Sequence, residues 1–131
     1  MMKTKKWNWI PTVKINELYF DKIYPDYRKI LDDLNANIFI EDPDIHDSFI
    51  FSDNGIRSLI SFEKNGQFSG MELKNNIFYK DINLIGKDIE EIKKIFGYDS
   101  LVLDKYDSVE CDDIRAIFWF ENNKVESVTV Y

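Results

Sequence analysis

The 131-residue sequence contains only one cysteine, one histidine, three prolines and five glycines. A single thiol, Cys111, excludes an intramolecular disulfide and any zinc site built from several thiolates. A single imidazole, His46, excludes clusters of two or three histidine ligands. The scattered glycines form neither a phosphate-cradling loop ending in Gly-Lys-Ser/Thr nor a dinucleotide fingerprint. There is no Gly-x-Ser-x-Gly turn to present a nucleophile. No apolar run approaches the roughly 20 residues of a membrane-spanning helix. The basic opening Met1–Lys6 leads into Trp7-Asn8-Trp9-Ile10-Pro11, which is too interrupted for the apolar centre of a signal peptide. Positive charge is scarce as well. With 17 basic and 24 acidic residues the net charge is −7, which argues against general nucleic-acid binding, where Lys and Arg on phosphates dominate affinity. These shortages lead to the expectation of a cytoplasmic protein with no cofactor, no metal, no nucleic-acid partner and no membrane partner.

What is present points to a folded chain. Aromatic residues make up 15% of it, and each buried ring removes a large apolar area from water, which argues strongly against disorder. The length suits one domain spanning 1–131 and allows burial of about two-thirds of the unfolded surface. Tyr24-Pro25-Asp26 looks like a helix start, and Tyr27, Ile30, Leu31 and Leu34 follow at helical spacing, with stops at Asn35 and Asn37. Asp88 with Glu91 three residues on has the spacing of a capping box, and Gly97 marks the expected end of that second helix. Residues 12–20 read as a short extended lead-in. Strands are expected over Ser48–Ser52, Ile56–Glu63, Phe68–Leu73, Val109–Cys111, Ile114–Glu121 and Val125–Tyr131, with another starting at Leu101–Leu103. Asn54-Gly55, Asn65-Gly66 and Asn122-Asn123 are turn signals, because Asn and Gly tolerate positive φ.

The two halves match in sequence as well as in order. Ile56-Arg57-Ser58-Leu59-Ile60-Ser61-Phe62-Glu63 aligns with Ile114-Arg115-Ala116-Ile117-Phe118-Trp119-Phe120-Glu121, with identities at Ile, Arg, Phe and Glu. This predicts an α+β fold of two helix-plus-antiparallel-hairpin repeats, about 12–74 and 77–131, sharing one sheet with both helices on one face. On the other face Leu59, Ile117 and Trp119 are either covered or offered to a partner.

The helix-then-hairpin pattern, twice over, resembles the tandem-repeat architecture of the β-lactamase inhibitor protein family. The stretch Ile85-Gly86-Lys87-Asp88-Ile89-Glu90-Glu91-Ile92-Lys93-Lys94-Ile95-Phe96-Gly97 is similar to that fold's helical opening and to small bacterial outer-membrane assembly lipoproteins. The hairpin Phe120-Glu121-Asn122-Asn123-Lys124-Val125 is similar too. The chain lacks the lipidated N-terminal cysteine of those lipoproteins and the disulfides of the secreted inhibitor. An acidic cytoplasmic version looks most like the immunity proteins of bacterial contact-dependent toxin systems. That resemblance implies a non-enzymatic binding protein, a monomer or weak dimer, that neutralises a basic toxin domain of a secreted or contact-delivered effector, such as a nuclease.

Two acidic clusters stand out, Asp42, Asp44 and Asp47, and then Asp104, Asp107, Glu110, Asp112 and Asp113. Neither has the loop spacing of a calcium-binding EF-hand. They read as solvated loops, as a surface for a basic partner, or as the acids of a metal-dependent hydrolase. If the clusters occupy equivalent loops of two repeats, they share one edge, and an acidic edge speeds encounter with a cationic partner. The partner-binding candidates are Asp42, Asp44, Asp47, Asp107, Glu110, Asp112 and Trp119. Trp7, Trp9 and Tyr106 lie outside the expected core elements, and Tyr131 shares the less certain face with Trp119. For Trp7 and Trp9, packing and binding stand even. Cys111 reads as a small half-buried hydrophobe whose acidic neighbours raise its pKa, and His46 as a surface residue. A homodimeric scaffold is the third alternative.

Overall fold

The computed structural model describes residues 5–41, 46–53 and 55–131. The described chain runs β1 (Trp9–Ile10), β2 (Lys14–Ile15), β3 (Leu18–Tyr19), α1 (Tyr27–Leu34), β4 (Asn37–Glu41), β5 (His46–Asp53), β6 (Ile56–Glu63), β7 (Phe68–Leu73), β8 (Phe78–Tyr79), β9 (Ile82–Asn83), α2 (Ile89–Phe96), β10 (Ser108–Cys111), β11 (Ala116–Glu121) and β12 (Lys124–Val130). A single 3-10 turn, Asp112–Ile114, separates β10 from β11.

The centre of the molecule is an antiparallel seven-stranded sheet in the order β10-β11-β12-β7-β6-β5-β4. Strand alternation places one side-chain row across six of its strands: Phe49, Ile60, Met71, Val130, Ala116 and Cys111 are successive cross-strand partners. All six are buried. A second row, Leu73, Val128, Phe118 and Val109, runs beside it. Over this face lie α1, α2, the three-stranded β1-β2-β3 sheet and the β8-β9 hairpin. Their aromatic rings close the interlayer: Tyr27 meets Phe62 at 5.1 Å, Trp7 meets Phe51 at 5.6 Å and Phe96 meets Phe118 at 5.7 Å between centroids.

Local signals set the helix ends. The α1 stripe buries Leu31 and half-buries Tyr27, Ile30 and Leu34, and Asn35 closes the helix in the left-handed region at φ 54°. Asp88 accepts the Glu91 N–H at 2.9 Å, and Glu91 reaches back to the Asp88 N–H, completing the capping box. Gly97 ends α2 at φ 74°.

The expected pair of helix-plus-hairpin repeats is corrected by this architecture. The molecule is mostly β: among the described residues two eight-residue helices accompany three separate sheets. The halves also differ in content. The first supplies β1–β3 and four strands of the large sheet, whereas the second supplies a detached β8-β9 hairpin and three. The matching Ile-Arg pairs adopt different backbones. Ile56 and Arg57 open β6 opposite Asp53 and Ser52. Ile114 ends a 3-10 turn, and Arg115 sits at φ 51°. What the halves have in common is one eight-residue helix and one hairpin, with a bulge between Ser61 and Phe62 in one copy and between Trp119 and Phe120 in the other. Alternation followed by an Asn turn is what any half-buried hairpin requires, so those identities report a hairpin and not a duplicated unit. Leu101–Leu103 forms no strand.

Trp7 and Trp9, left open between packing and binding, are core residues, each 2% exposed. The N-terminal segment that carries them is tied down by Asn76, itself buried. Its Oδ1 accepts the Trp7 N–H at 2.9 Å, and its Nδ2 donates to the Lys5 carbonyl at 2.8 Å. Asn76→Ala strands both backbone groups, and we expect a loss of about 1–3 kcal/mol in urea unfolding. Faster hydrogen exchange at Trp7 than at Ile60 in that variant would confirm that the tie is local.

Candidate functional site

The other face of the large sheet differs in chemistry and burial. Its central row, Ile50, Leu59, Glu72, Thr129, Ile117 and Glu110, again consists of successive cross-strand partners. Each is half-buried or exposed where its neighbours on the first face are buried. Trp119 stands on this open face beside Glu110. Their strands are adjacent, with Ser108 opposite Trp119 and Ile117 opposite Glu110, which makes the two diagonal neighbours. The indole is held in place by its Nε1–H, which donates to Thr129 Oγ1 at 3.0 Å. Tyr131 donates its hydroxyl to Glu110 Oε1 at 3.3 Å, and burial together with the Glu110 charge pushes its phenol above the ordinary range.

At the β10 edge the open face turns acidic. Residues 97–115 carry six carboxylates and two basic side chains. One of the two, Arg115, is engaged by Asp21 at 3.2 Å. Asp107, Glu110, Asp112 and Asp113 are exposed. Among them stand two unusually exposed apolar groups, Val102 at 85% and Tyr106 at 67%. Asp104 organises the loop that presents them. Its carboxylate accepts from Ser108 Oγ at 2.7 Å, from the Ser108 N–H and from the Tyr106 N–H, and these bonds hold its pKa below the usual value. The Asp104 N–H also donates to the Ser108 carbonyl, so the first outward-facing position of β10 is occupied from within the chain.

Cys111 is 4% exposed and lies on the core face. Burial pushes its thiol pKa up, Asp113, Asp112 and Glu110 add to the shift, and the nearby Tyr98 hydroxyl opposes it, so the group is not poised as a thiolate. Tyr98 is raised too, first by burial and then by its 2.7 Å bond to Asp113.

The residues singled out from sequence therefore divide. Asp107, Glu110, Asp112 and Trp119 gather at the β10 end of the sheet. Asp42 and Asp44 lie outside the described residues, and Asp47 is described through its backbone alone, on β5 opposite Phe62. The orders place β5 five strand steps from β10, roughly 24 Å at the usual spacing. Asp47 thus does not share an edge with Asp107 and Glu110, because the two hairpins meet through β7 and β12 and leave their outer strands at opposite ends. His46 pairs with Glu63 at the start of β5. Among the described residues no three His, Cys, Asp or Glu side chains stand close enough together to hold a metal ion. Glu72, Thr129 and Ile50 were missed as members of the open face. The alternation of β6 and β11 was a signal for their neighbours, but the partner strands on either side were not readable.

No helix among the described residues is long and apolar enough to cross a membrane. Compared with protein-family models, curated proteins and solved structures, the chain matches none.

Proposed function

We propose that this chain is a non-enzymatic binding protein that acts in the cytoplasm as an immunity protein, neutralising the basic, nuclease-type toxin domain of a secreted or contact-delivered bacterial effector by occlusion. The observation that carries this reading is the juxtaposition at the β10 end of the sheet. Exposed Val102 and Tyr106 stand amid a run of carboxylates, next to an open face bearing Trp119 and Ile117. Aromatic anchors with few rotors supply binding energy, and a surrounding charge of one sign supplies encounter rate and orientation. A basic nuclease surface, shaped to hold a polyanion, complements both. The acidic contribution is placed on Asp107, Glu110 and Asp112, with Trp119 as the apolar contact. Asp42, Asp44 and Asp47 belong to the proposal as sequence candidates only.

The test uses the polypeptide encoded by the adjacent reading frame as partner. The triple variant Asp107→Lys, Glu110→Lys, Asp112→Lys is expected to slow association about 10- to 100-fold at low salt and to flatten its salt dependence. Circular dichroism should leave the fold unchanged, since all three side chains are exposed. An association rate equal to that of the wild type overturns the electrostatic docking, and a partner that never associates overturns the function.

A further inference from the structure

The open face is not flat. Its second row, Ser48, Ser61 and Gly70, is made of successive cross-strand partners and contains nothing larger than a serine. The Gly70 position is small by necessity, because an added Cβ would overlap the Val130 carbonyl oxygen and would stand 3.2 Å from Tyr131 Cβ. Beside the Ser61–Gly70 end of this row lies a hollow of about 280 Å³, lined by Leu59, Ser61, Ser69, Gly70, Glu72 and Tyr131 among others. Its lining includes one carboxylate and no basic side chain. Glu72 is oriented by Ser127, whose Oγ donates to Glu72 Oε1 at 3.1 Å. Ser48 and Ser61 use their hydroxyls on each other at 2.9 Å.

We infer that this hollow is the socket for an arginine side chain of the docking partner. The inference rests on the reading of the chain as a binder of a basic protein, and it names the group that reads the centre of the face. A guanidinium offers five donors in a planar fork. Glu72 accepts from it as a two-oxygen carboxylate, and Leu59 and Tyr131 supply apolar surface in the same hollow. An ammonium of lysine is a compact charge with neither the fork nor the flat face. The negative lining, the absence of a cation in it and the small-residue row together define a site sized for one long side chain entering from solvent.

The experiment is a titration of the 15N-labelled full chain with Nα-acetyl-arginine methylamide, with the lysine analogue run in parallel. Saturable shifts are expected at the amides of Ser61, Ser69, Gly70 and Glu72, with binding roughly millimolar. The lysine probe should bind more weakly, and Glu72→Gln, which keeps an acceptor for Ser127, should weaken the arginine probe about tenfold through loss of the charge-assisted bonds. Shifts confined to residues 99–113, equal binding of the two probes, or an unaffected Glu72→Gln variant each overturn the arginine socket. Those outcomes leave the docking reading untouched, because its failure shows in the association rate of the acidic-edge variants with the whole partner and not in the probe titration.

Discussion

Gly70→Ala is expected to destabilise the protein by more than about 3 kcal/mol, or to keep it from folding, because it combines backbone strain with a backbone clash. Gly70 lies inside β7 at φ 141°, a conformation that residues with a Cβ rarely adopt. The methyl would press on the Val130 carbonyl and crowd the Tyr131 backbone, so no flexible side-chain tip can yield. The strand that would have to move is β12, and it joins β7 through three register pairs, Leu73–Val128, Glu72–Thr129 and Met71–Val130. Those pairs connect the four strands of the first half to the three of the second. Gly55→Ala is the control. It also has positive φ, at 81°, but an added Cβ meets nothing within 4 Å, so about 1 kcal/mol is expected. Urea unfolding of both variants checks the contrast. A Gly70→Ala protein within 1 kcal/mol of the Gly55→Ala variant would mean that the close approach of β7 and β12 does not exist.

Phe118→Ala should cost about 3–5 kcal/mol, a large part of the roughly 5–15 kcal/mol that holds an ordinary domain together. Phe118 is fully buried at the middle of β11, opposite Val109 on one side and Val128 on the other. The ring of Phe96 packs on it from α2 at 5.7 Å, and Phe96 in turn touches Trp9 at 6.1 Å and Tyr79 at 4.7 Å. One ring thus supports the contact of the sheet with α2, with the N-terminal sheet and with the β8-β9 hairpin. The neighbours are fixed in three separate elements and cannot collapse together into the void, so the cost falls toward the upper end of the range. Phe118→Leu keeps most of the volume and should cost clearly less. Thermal or urea unfolding read by far-ultraviolet circular dichroism distinguishes the pair.

Elements with self-contained signals were legible. The α2 boundaries follow from Asp88, Glu91 and Gly97, and the β6 and β7 boundaries from alternation and the Asn65-Gly66 turn. The end of β10 was legible too, but the turn beyond it was not. Ile114-Arg115 continues the apolar alternation in sequence, yet Asp112–Ile114 closes a 3-10 turn and Arg115 is left-handed. The aromatic N-terminus was ambiguous because its three strands are each two residues long, too short for alternation to register, and the burial of Trp7 and Trp9 comes from residues about 70 positions away such as Asn76 and Tyr79. Of the candidate site, the sequence shows Glu110 within an acidic cluster and Trp119 on the second face of its strand, and the structure adds that the two stand diagonally on adjacent strands. Glu72 and the Ser61–Gly70 row were invisible because small or charged residues within a strand carry no local sign of what faces them.

By itself the sequence determined the acidic balance, the helix caps, the hairpin turns and which side chains along each strand share a face, since all of these depend on residues within about ten positions of one another. Only the tertiary structure decided that β7 pairs with β12, that β10 and β4 become the opposite ends of the sheet, and that Asp47 therefore stands far from Asp107 and Glu110. Every strand offers the same backbone N–H and C=O groups to any neighbour. Its choice of partner is made by side-chain packing between distant segments, here the row from Phe49 to Cys111 and the close approach that Gly70 permits.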